Sequence, residues 1–313
     1  MQVTGFLKLY GQRFCIAIVG LTVIAPALAF SADTAPTDTL ARVRQTGTLK
    51  LGYYADAGPF SYQDAAGKPA GYAIALCEQI AKDLKTELRI PLNVQFVLVT
   101  GANRFEAVQQ GSVDLLCGPS VETFARRTEV SFSRPIFPAG LAALVRSDAP
   151  AQVRDVLSGH EPPYRPLWRA SMGLALQHRT FSAVTNTTAL NWLNAKRTEF
   201  KIDSKIVPVE SHDQGVQRVL DRTSDVLFGE RSMLLDAKKR SPAGGELVVL
   251  DRVFTYEPLA FALAREDEDL RLLVDQSLSR LNRSGLTQSL YRQFFGEPDE
   301  NTLTFFRTNT ISE

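Results

Sequence analysis

Gly111 to Pro135, GSVDLLCGPSVETFARRTEVSFSRP, concentrates the side chains most able to do chemistry. It reads as a buried strand over Val113 to Leu116, a Gly-Pro-Ser turn, and a short helix opening at Glu122 or Thr123 with Arg126 one turn in. The first backbone N–H groups of a helix point outward unpaired and its dipole favours negative charge, so this order of elements makes an anion site. An arginine there can hold a carboxylate through two parallel hydrogen bonds. The plain alternative makes Thr123 only a cap and Arg126 a solvated surface charge.

Other reactive residues exclude more than they offer. His160, His178 and His212 have no ligand spacing and are expected at the surface, with His212 alone near a strand end able to face a cleft. No Ser-His-Asp or Cys-His set has supporting context and no phosphate loop is present, so no catalytic residue, metal or cofactor is expected. Cys77 and Cys117 lack the histidine spacing of a metal site; they are either a disulfide or two separately buried thiols.

The elements that must position Arg126 alternate in type. A short helix over Thr39 to Gln45 ends at Gly47, and Thr48 to Tyr54 alternates as a strand. A turn-rich aromatic loop, Ala55 to Tyr62, precedes an amphipathic helix over Tyr72 to Leu88 with Leu76, Ile80, Leu84 and Leu88 on one face. Val94 to Val99 is a strand, Arg104 to Gln110 a helix, and Val113 to Leu116 the third strand. Such alternation means a parallel sheet covered by helices, with ligands at the carboxyl ends of the strands.

A second alternation follows. Strands at Phe181 to Thr185, Lys205 to Val209 and Asp225 to Phe228 interleave with helices at Thr187 to Glu199, Gln214 to Asp221 and Arg231 to Lys239. Leu247 to Leu250 adds a strand, and helices at Asp267 to Arg283 and Leu286 to Phe295 precede a short tail. Ser147 to His178 gives no clear periodicity. The extended apolar runs Phe137 to Val145 and Val253 to Leu263 read as two crossings between lobes. The α/β fold is thus two lobes joined by two hinge strands, with a first lobe over 38–140, a second over 146–250 and a return over 254–313. A cleft between them suits a small ligand.

Lys8 and Arg13 precede the apolar run Phe14 to Ala29, which closes on Ala27-Leu28-Ala29. That order is a secretory signal peptide over 1–29, cleaved after Ala29 or Ala32; a retained single-pass anchor is the alternative. Export places the mature chain in the periplasm, and no later stretch reaches about 18 unbroken apolar residues. Loss of Lys8 and Arg13 moves the formal charge from +1 to −1, which argues against nucleic-acid or membrane-surface partners.

The chain resembles the family 3 extracellular solute-binding proteins, amino-acid receptors of ABC importers, from about Leu40 to Pro298. The resemblance rests on Gly58-Pro59-Phe60 with Tyr62, on Gly71-Tyr72, and on Arg104 ahead of Gly111-Ser112-Val113-Asp114. Thr123-Phe124-Ala125-Arg126, Phe132-Ser133-Arg134-Pro135, Phe228-Gly229-Glu230-Arg231, Ser284-Gly285 and Tyr291 to Gly296 continue it. Cys117-Gly118 and Asn103-Arg104 look most like the glutamate/aspartate-binding branch.

The resemblance implies a monomeric two-lobe (type II) periplasmic receptor that binds a polar or acidic amino acid, or a related small carboxylate, and delivers it to an inner-membrane permease. It assigns Arg126 to the ligand α-carboxylate with Thr123 bracing the turn, Arg104 to a side-chain carboxylate, Glu230 to the α-ammonium, and Thr188 to the opposite wall as hydroxyl and N–H donor. Phe60 and Tyr62 become an apolar wall over the ligand stem. Each has a structural alternative: a plain cap for Thr188, a partner in Arg231 for Glu230, a partner in Glu106 or Asp114 for Arg104, and loop packing for the aromatics. Ala73, Ala75, Pro119, Val121 and Asn186 depart from the family pattern and leave the pocket poorer in donors. A secreted dehydratase of the cyclohexadienyl type, or a ligand-sensing module, is the alternative function on this scaffold.

Overall fold

The computed structural model describes residues 38–160 and 174–312. The leader therefore lies outside the described residues, as does much of the stretch without periodicity, where Ala151–Ser158 forms a helix and 161–173 are not described.

The strands, in chain order, are β1 Thr48–Tyr53, β2 Asp56–Ala57, β3 Ser61–Gln63, β4 Pro69–Ala70, β5 Asn93–Leu98, β6 Leu115–Val121 and β7 Ser131–Phe132. Then come β8 Leu141–Arg146, β9 Thr180–Val184, β10 Lys205–Val209, β11 Val226–Glu230, β12 Leu247–Val249 and β13 Leu259–Leu263. One sheet has the order β5-β1-β6-β13-β7 and the other β10-β9-β11-β8-β12. In each, three parallel strands are followed by a neighbour running antiparallel: β13 beside β6, and β8 beside β11. The same construction thus occurs twice, with the closing strand supplied late in the chain for the first sheet and early for the second.

Burial explains each sheet. Leu76, Ile80 and Leu84 form the inward stripe of the helix Tyr72–Leu88 and pack on the first sheet with Leu49, Leu51, Leu115 and Leu116. On β8, Leu141, Ala143 and Val145 enter one core while Ala142 and Leu144 enter another, so the second sheet is covered on both faces, as its near-continuous apolar strands require. Cys77 and Cys117 form a disulfide with Cα atoms 6.2 Å apart, tying that helix to β6.

Two segments join the sheets. Phe254 donates to the Leu141 carbonyl, Glu257 to Ala139 and Leu259 to Phe137, so the outgoing and returning chains run antiparallel between the lobes.

Several boundaries differ from the sequence reading. β6 runs to Val121, straight through the expected Gly-Pro-Ser turn. A register shift between Ala260 and Ala262 on β13 accommodates Pro119, which has no N–H for a regular ladder. The helix after it is a single turn, Phe124–Arg127, too short to act as an anion site through its dipole. The expected short tail is instead a helix, Glu300–Thr308, capped by Asp299 and anchored by buried Phe305 and Phe306.

Candidate functional site

A cavity of about 500 Å³ lies between the two sheets. Its walls come from the carboxyl ends of the parallel strands: Tyr54 after β1, Val99 after β5, Val121 ending β6, Val184 ending β9, Glu210 after β10 and Glu230 ending β11. That is where side-chain and loop groups of a parallel sheet converge free of ladder pairing.

Two arginines dominate it. Arg104, the first residue of the helix Arg104–Gln109, is nine-tenths buried; it donates through Nη1 to the Gly101 carbonyl and through Nη2 to the Asn186 carbonyl at 2.9 Å. The alternatives read from sequence are taken by others: Asp114 pairs with Arg42 at 2.6 Å, and Glu106 accepts from Gln110. Arg126 donates through Nη1 to the Val121 carbonyl at 2.7 Å and through Nη2 to the same Asn186 oxygen at 3.4 Å. Both guanidinium groups lie over the Phe105 ring, at 4.6 Å and 5.4 Å from its centroid. The two cations thus share one ring and one acceptor. Burial, then repulsion from Arg104, pulls the Arg126 pKa down to about 10. An anion placed there would relieve both effects.

Thr123 lies outside the cavity wall. Its hydroxyl caps the single-turn helix by accepting from the Arg126 backbone N–H at 3.2 Å, so it acts on Arg126 and not on the cavity.

The second lobe supplies Thr188 and Glu230. Thr188 opens the helix Thr188–Glu199, whose cap is Thr187; its hydroxyl donates to Glu257 at 2.6 Å. The donor expected to face a ligand is thus engaged, and the backbone N–H at the helix start is what Thr188 leaves for the cavity. Glu230 caps the helix Arg231–Arg240, accepting from the Met233 N–H at 2.8 Å. Arg231 is not its ion-pair partner, since it pairs with Asp251 at 3.0 Å. Burial raises the Glu230 carboxyl to about 7 against the opposing pull of the Ser232 and Met233 hydrogen bonds.

Phe60 and Tyr62 do not line the cavity. Phe60 is fully buried and packs on Phe137 (4.9 Å) and Phe295 (5.4 Å) beneath the crossing between lobes. Tyr62 sits on β3 opposite Asp56 and Ala70 in a small three-stranded sheet. The apolar part of the wall comes instead from Tyr54, Val99, Pro119, Val121 and Phe228.

Two wall residues escaped the sequence reading. Tyr54 lies with its ring against Gly118, where any Cβ would overlap it, and burial raises its phenol pKa despite Arg104. Glu257 comes from the returning hinge segment, and no motif marks it. The expectation of a surface position fails for His212, which is 9% exposed, lines the cavity and is held neutral by burial with a pKa of about 4. His178 is exposed beside Asp203, and His160 is exposed. Among the described residues no cluster of His, Cys, Asp or Glu could hold a metal ion.

Comparison with known proteins agrees with this architecture. The chain is 25% identical over 284 residues to an L-glutamate/L-aspartate-binding protein of Pseudomonas aeruginosa, covering 90% of this chain and 86% of that one. It is also 25% identical over 288 residues to a glutamate/aspartate import solute-binding protein of Escherichia coli, covering 90% and 88%. Among solved structures it matches an ancestral amino acid-binding protein, a precursor of cyclohexadienyl dehydratase, at 25% identity and a TM-score of 0.66, covering 82% of this chain and 99% of that one. The fold shared with such structures is the two-lobe, type II periplasmic-binding-protein fold. The model of the bacterial extracellular solute-binding proteins, family 3, matches residues 49–297, and the chain belongs to that family.

Proposed function

We propose that this chain is the periplasmic receptor of an ABC importer, closing its interlobe cleft on a small polar amino acid that carries a carboxylate, with acidic amino acids the first candidates. The observation that carries the reading is the convergence of Arg104 and Arg126 on one carbonyl oxygen, that of Asn186. A neutral carbonyl occupies a position that two guanidinium groups make suited to an anion, and a ligand carboxylate can take its place with charge-assisted bonds. Glu230, on the second lobe, provides negative charge for an ammonium. Names of relatives support the ligand class, since two of them bind or import glutamate and aspartate.

The site roles follow: Arg126 for the α-carboxylate, Arg104 for a second carboxylate or the other face of the first, Glu230 for the ammonium, and the Thr188 N–H for the opposite wall. The leader over 1–29 directs export, and a permease in the inner membrane is the partner of the monomeric closed form. No helix among the described residues is long and apolar enough to cross a membrane. Calorimetric titration of the mature protein with the common L-amino acids tests the reading. Binding of an acidic or polar amino acid that Arg126→Ala abolishes is expected; a protein that binds no amino acid and no small carboxylate defeats it.

A dehydratase is the second reading, favoured by one observation: a cavity carboxyl, Glu230, with a pKa of about 7, able to act as a general acid or base. The relatives named above are binding proteins. Turnover of prephenate or arogenate by the purified protein would establish the enzyme; none is expected.

A further inference from the structure

Glu257 holds a position that the two-lobe clamp does not by itself require. It lies on the segment returning from the second lobe to the first, where its backbone N–H donates to the Ala139 carbonyl at 2.8 Å. That bond fixes its Cα at the junction of the lobes. Its side chain lines the cavity, and Oε2 accepts from the Thr188 hydroxyl at 2.6 Å. Among the described residues, no hydrogen bond or ion pair is made by Oε1. One oxygen is therefore held by Thr188, and the other is free to meet a ligand.

Charge placement gives this carboxylate a task. Arg126 and Glu257 line the same cavity, and the negative charge of Glu257 favours the Arg126 cation. A ligand carboxylate on Arg104 and Arg126 places the ammonium of an α-amino acid one carbon away, toward the acidic side of the site. An ammonium brings three N–H donors, and Glu230 is a weak host for them alone. One Glu230 oxygen already caps the Met233 N–H at 2.8 Å, and a carboxyl drawn toward its neutral form offers less charge. Glu257, positioned by Thr188, supplies a second carboxylate acceptor with one oxygen unengaged.

We infer that Glu257 binds the ligand ammonium together with Glu230, that Thr188 is its positioning residue, and that this pair makes the site selective for amino acids over the corresponding desamino acids. The inference rests on the proposed amino-acid receptor function and adds a residue to it.

The test uses the mature chain. The tightest-binding L-amino acid is found by calorimetry, and its desamino analogue is titrated beside it, glutarate for glutamate or succinate for aspartate. Glu257→Gln keeps an amide oxygen for the Thr188 hydroxyl and removes the charge. It should weaken the amino acid about 20-fold or more and change the desamino acid less than about threefold, as expected for loss of one charged hydrogen-bond partner. Thr188→Ala should weaken the amino acid by a smaller factor, with Thr188→Ser restoring it, and both variants should melt close to the wild type. Equal losses for both ligands would make Glu257 a hinge strut, and no loss would make it a bystander; either overturns the inference and leaves the receptor function standing. A desamino acid that binds the wild type as tightly as the amino acid also overturns it. A wild type that binds no amino acid removes the function and the inference together.

Discussion

Arg104 donates through Nη2 to the main-chain carbonyl of Asn186 at 2.9 Å, crossing from the first lobe to the second. Asn186 has φ of 58°, in the left-handed region that asparagine tolerates better than other non-glycine residues. The carbonyl that both arginines share thus belongs to a residue whose backbone depends on its side-chain type. Asn186→Gly should leave stability and ligand affinity nearly unchanged. Asn186→Val should cost about 1–2 kcal/mol of stability, because a β-branched residue resists this conformation. Thermal melts and calorimetry on the two variants check this; equal behaviour would show that the conformation is not what positions the carbonyl.

Arg126 should matter for binding and not for folding. Its guanidinium is half-buried beside Arg104, and that environment disfavours its charge. Removing one partner of a charged, hydrogen-bonded pair typically costs about 2–5 kcal/mol of affinity. Arg126→Ala should therefore weaken the carboxylate ligand about 100-fold or more while the ligand-free melting temperature stays level or rises. Arg126→Lys keeps the charge and loses the two-pronged geometry, so it should fall between. A variant that unfolds without losing affinity would contradict the assignment.

How far the sequence reaches depends on the range of the forces involved. Tyr72–Leu88, Lys205–Val209 and Leu286–Phe295 match their reading because the local apolar period sets them. β6 does not, because Gly118-Pro119-Ser120 carries turn chemistry and only a register shift on β13, distant in sequence, lets it stay extended. Arg104, Arg126, Thr188 and Glu230 reach the cavity wall from motif positions, whereas Phe60 is drawn into the core by Phe137 and Phe295, which are remote along the chain. His212, noted from sequence only as near a strand end, reaches the cavity at the start of the helix His212–Leu220, and Glu257, which no motif marks, reaches it from the hinge segment. For the helix Glu300–Thr308 a signal existed in Asp299 followed by Phe305 and Phe306.

Ligand affinity should depend on pH through Glu230. Burial raises its carboxyl to about 7. An ammonium favours the ionised form, so binding draws the pKa down and releases a proton when it occurs below that value. Affinity should be steady above pH 7 and fall as pH drops below it, by up to about tenfold per unit. The sign for folding is opposite. A carboxyl with a raised pKa stabilises the ligand-free fold most in its protonated range and loses that contribution as pH rises through about 7. Glu230→Gln should flatten the binding profile; calorimetry between pH 5 and 8 in buffers of different ionisation enthalpy, read as proton release, decides it.

The disulfide between Cys77 and Cys117 closes 40 residues of chain and is fully buried at both ends. By the chain-entropy estimate such a loop is worth about 4 kcal/mol, a figure that depends on that model. Replacing both cysteines with serine should lower the melting temperature by roughly 10 °C, given about 2–4 °C per kcal/mol for a chain of this size. Reductant should act on the intact protein only slowly, because the bond is reached through opening of the first lobe. Mass spectrometry of alkylated thiols against time follows this; rapid reduction at a temperature where the fold is intact would contradict the buried position.

Gly118 and Tyr54 set the shape of the cavity floor. The Tyr54 ring lies against Gly118 so closely that a Cβ there would overlap it, while Tyr54 itself lines the cavity between β1 and the arginines. Gly118→Ala must push the ring toward the ligand space or separate β1 from β6, because the backbone on both sides is locked in the sheet. Overpacking of this kind costs about 1–3 kcal/mol. The displaced ring would also intrude beside Arg104 and Arg126, so affinity should fall together with stability. Tyr54→Ala costs stability of its own, since the ring is buried, but it removes the obstacle, so Gly118→Ala should cost little in a Tyr54→Ala background, the non-additivity expected of residues in contact. A double-mutant cycle read by thermal denaturation measures it, and strictly additive effects would show that the ring and the glycine do not share the space.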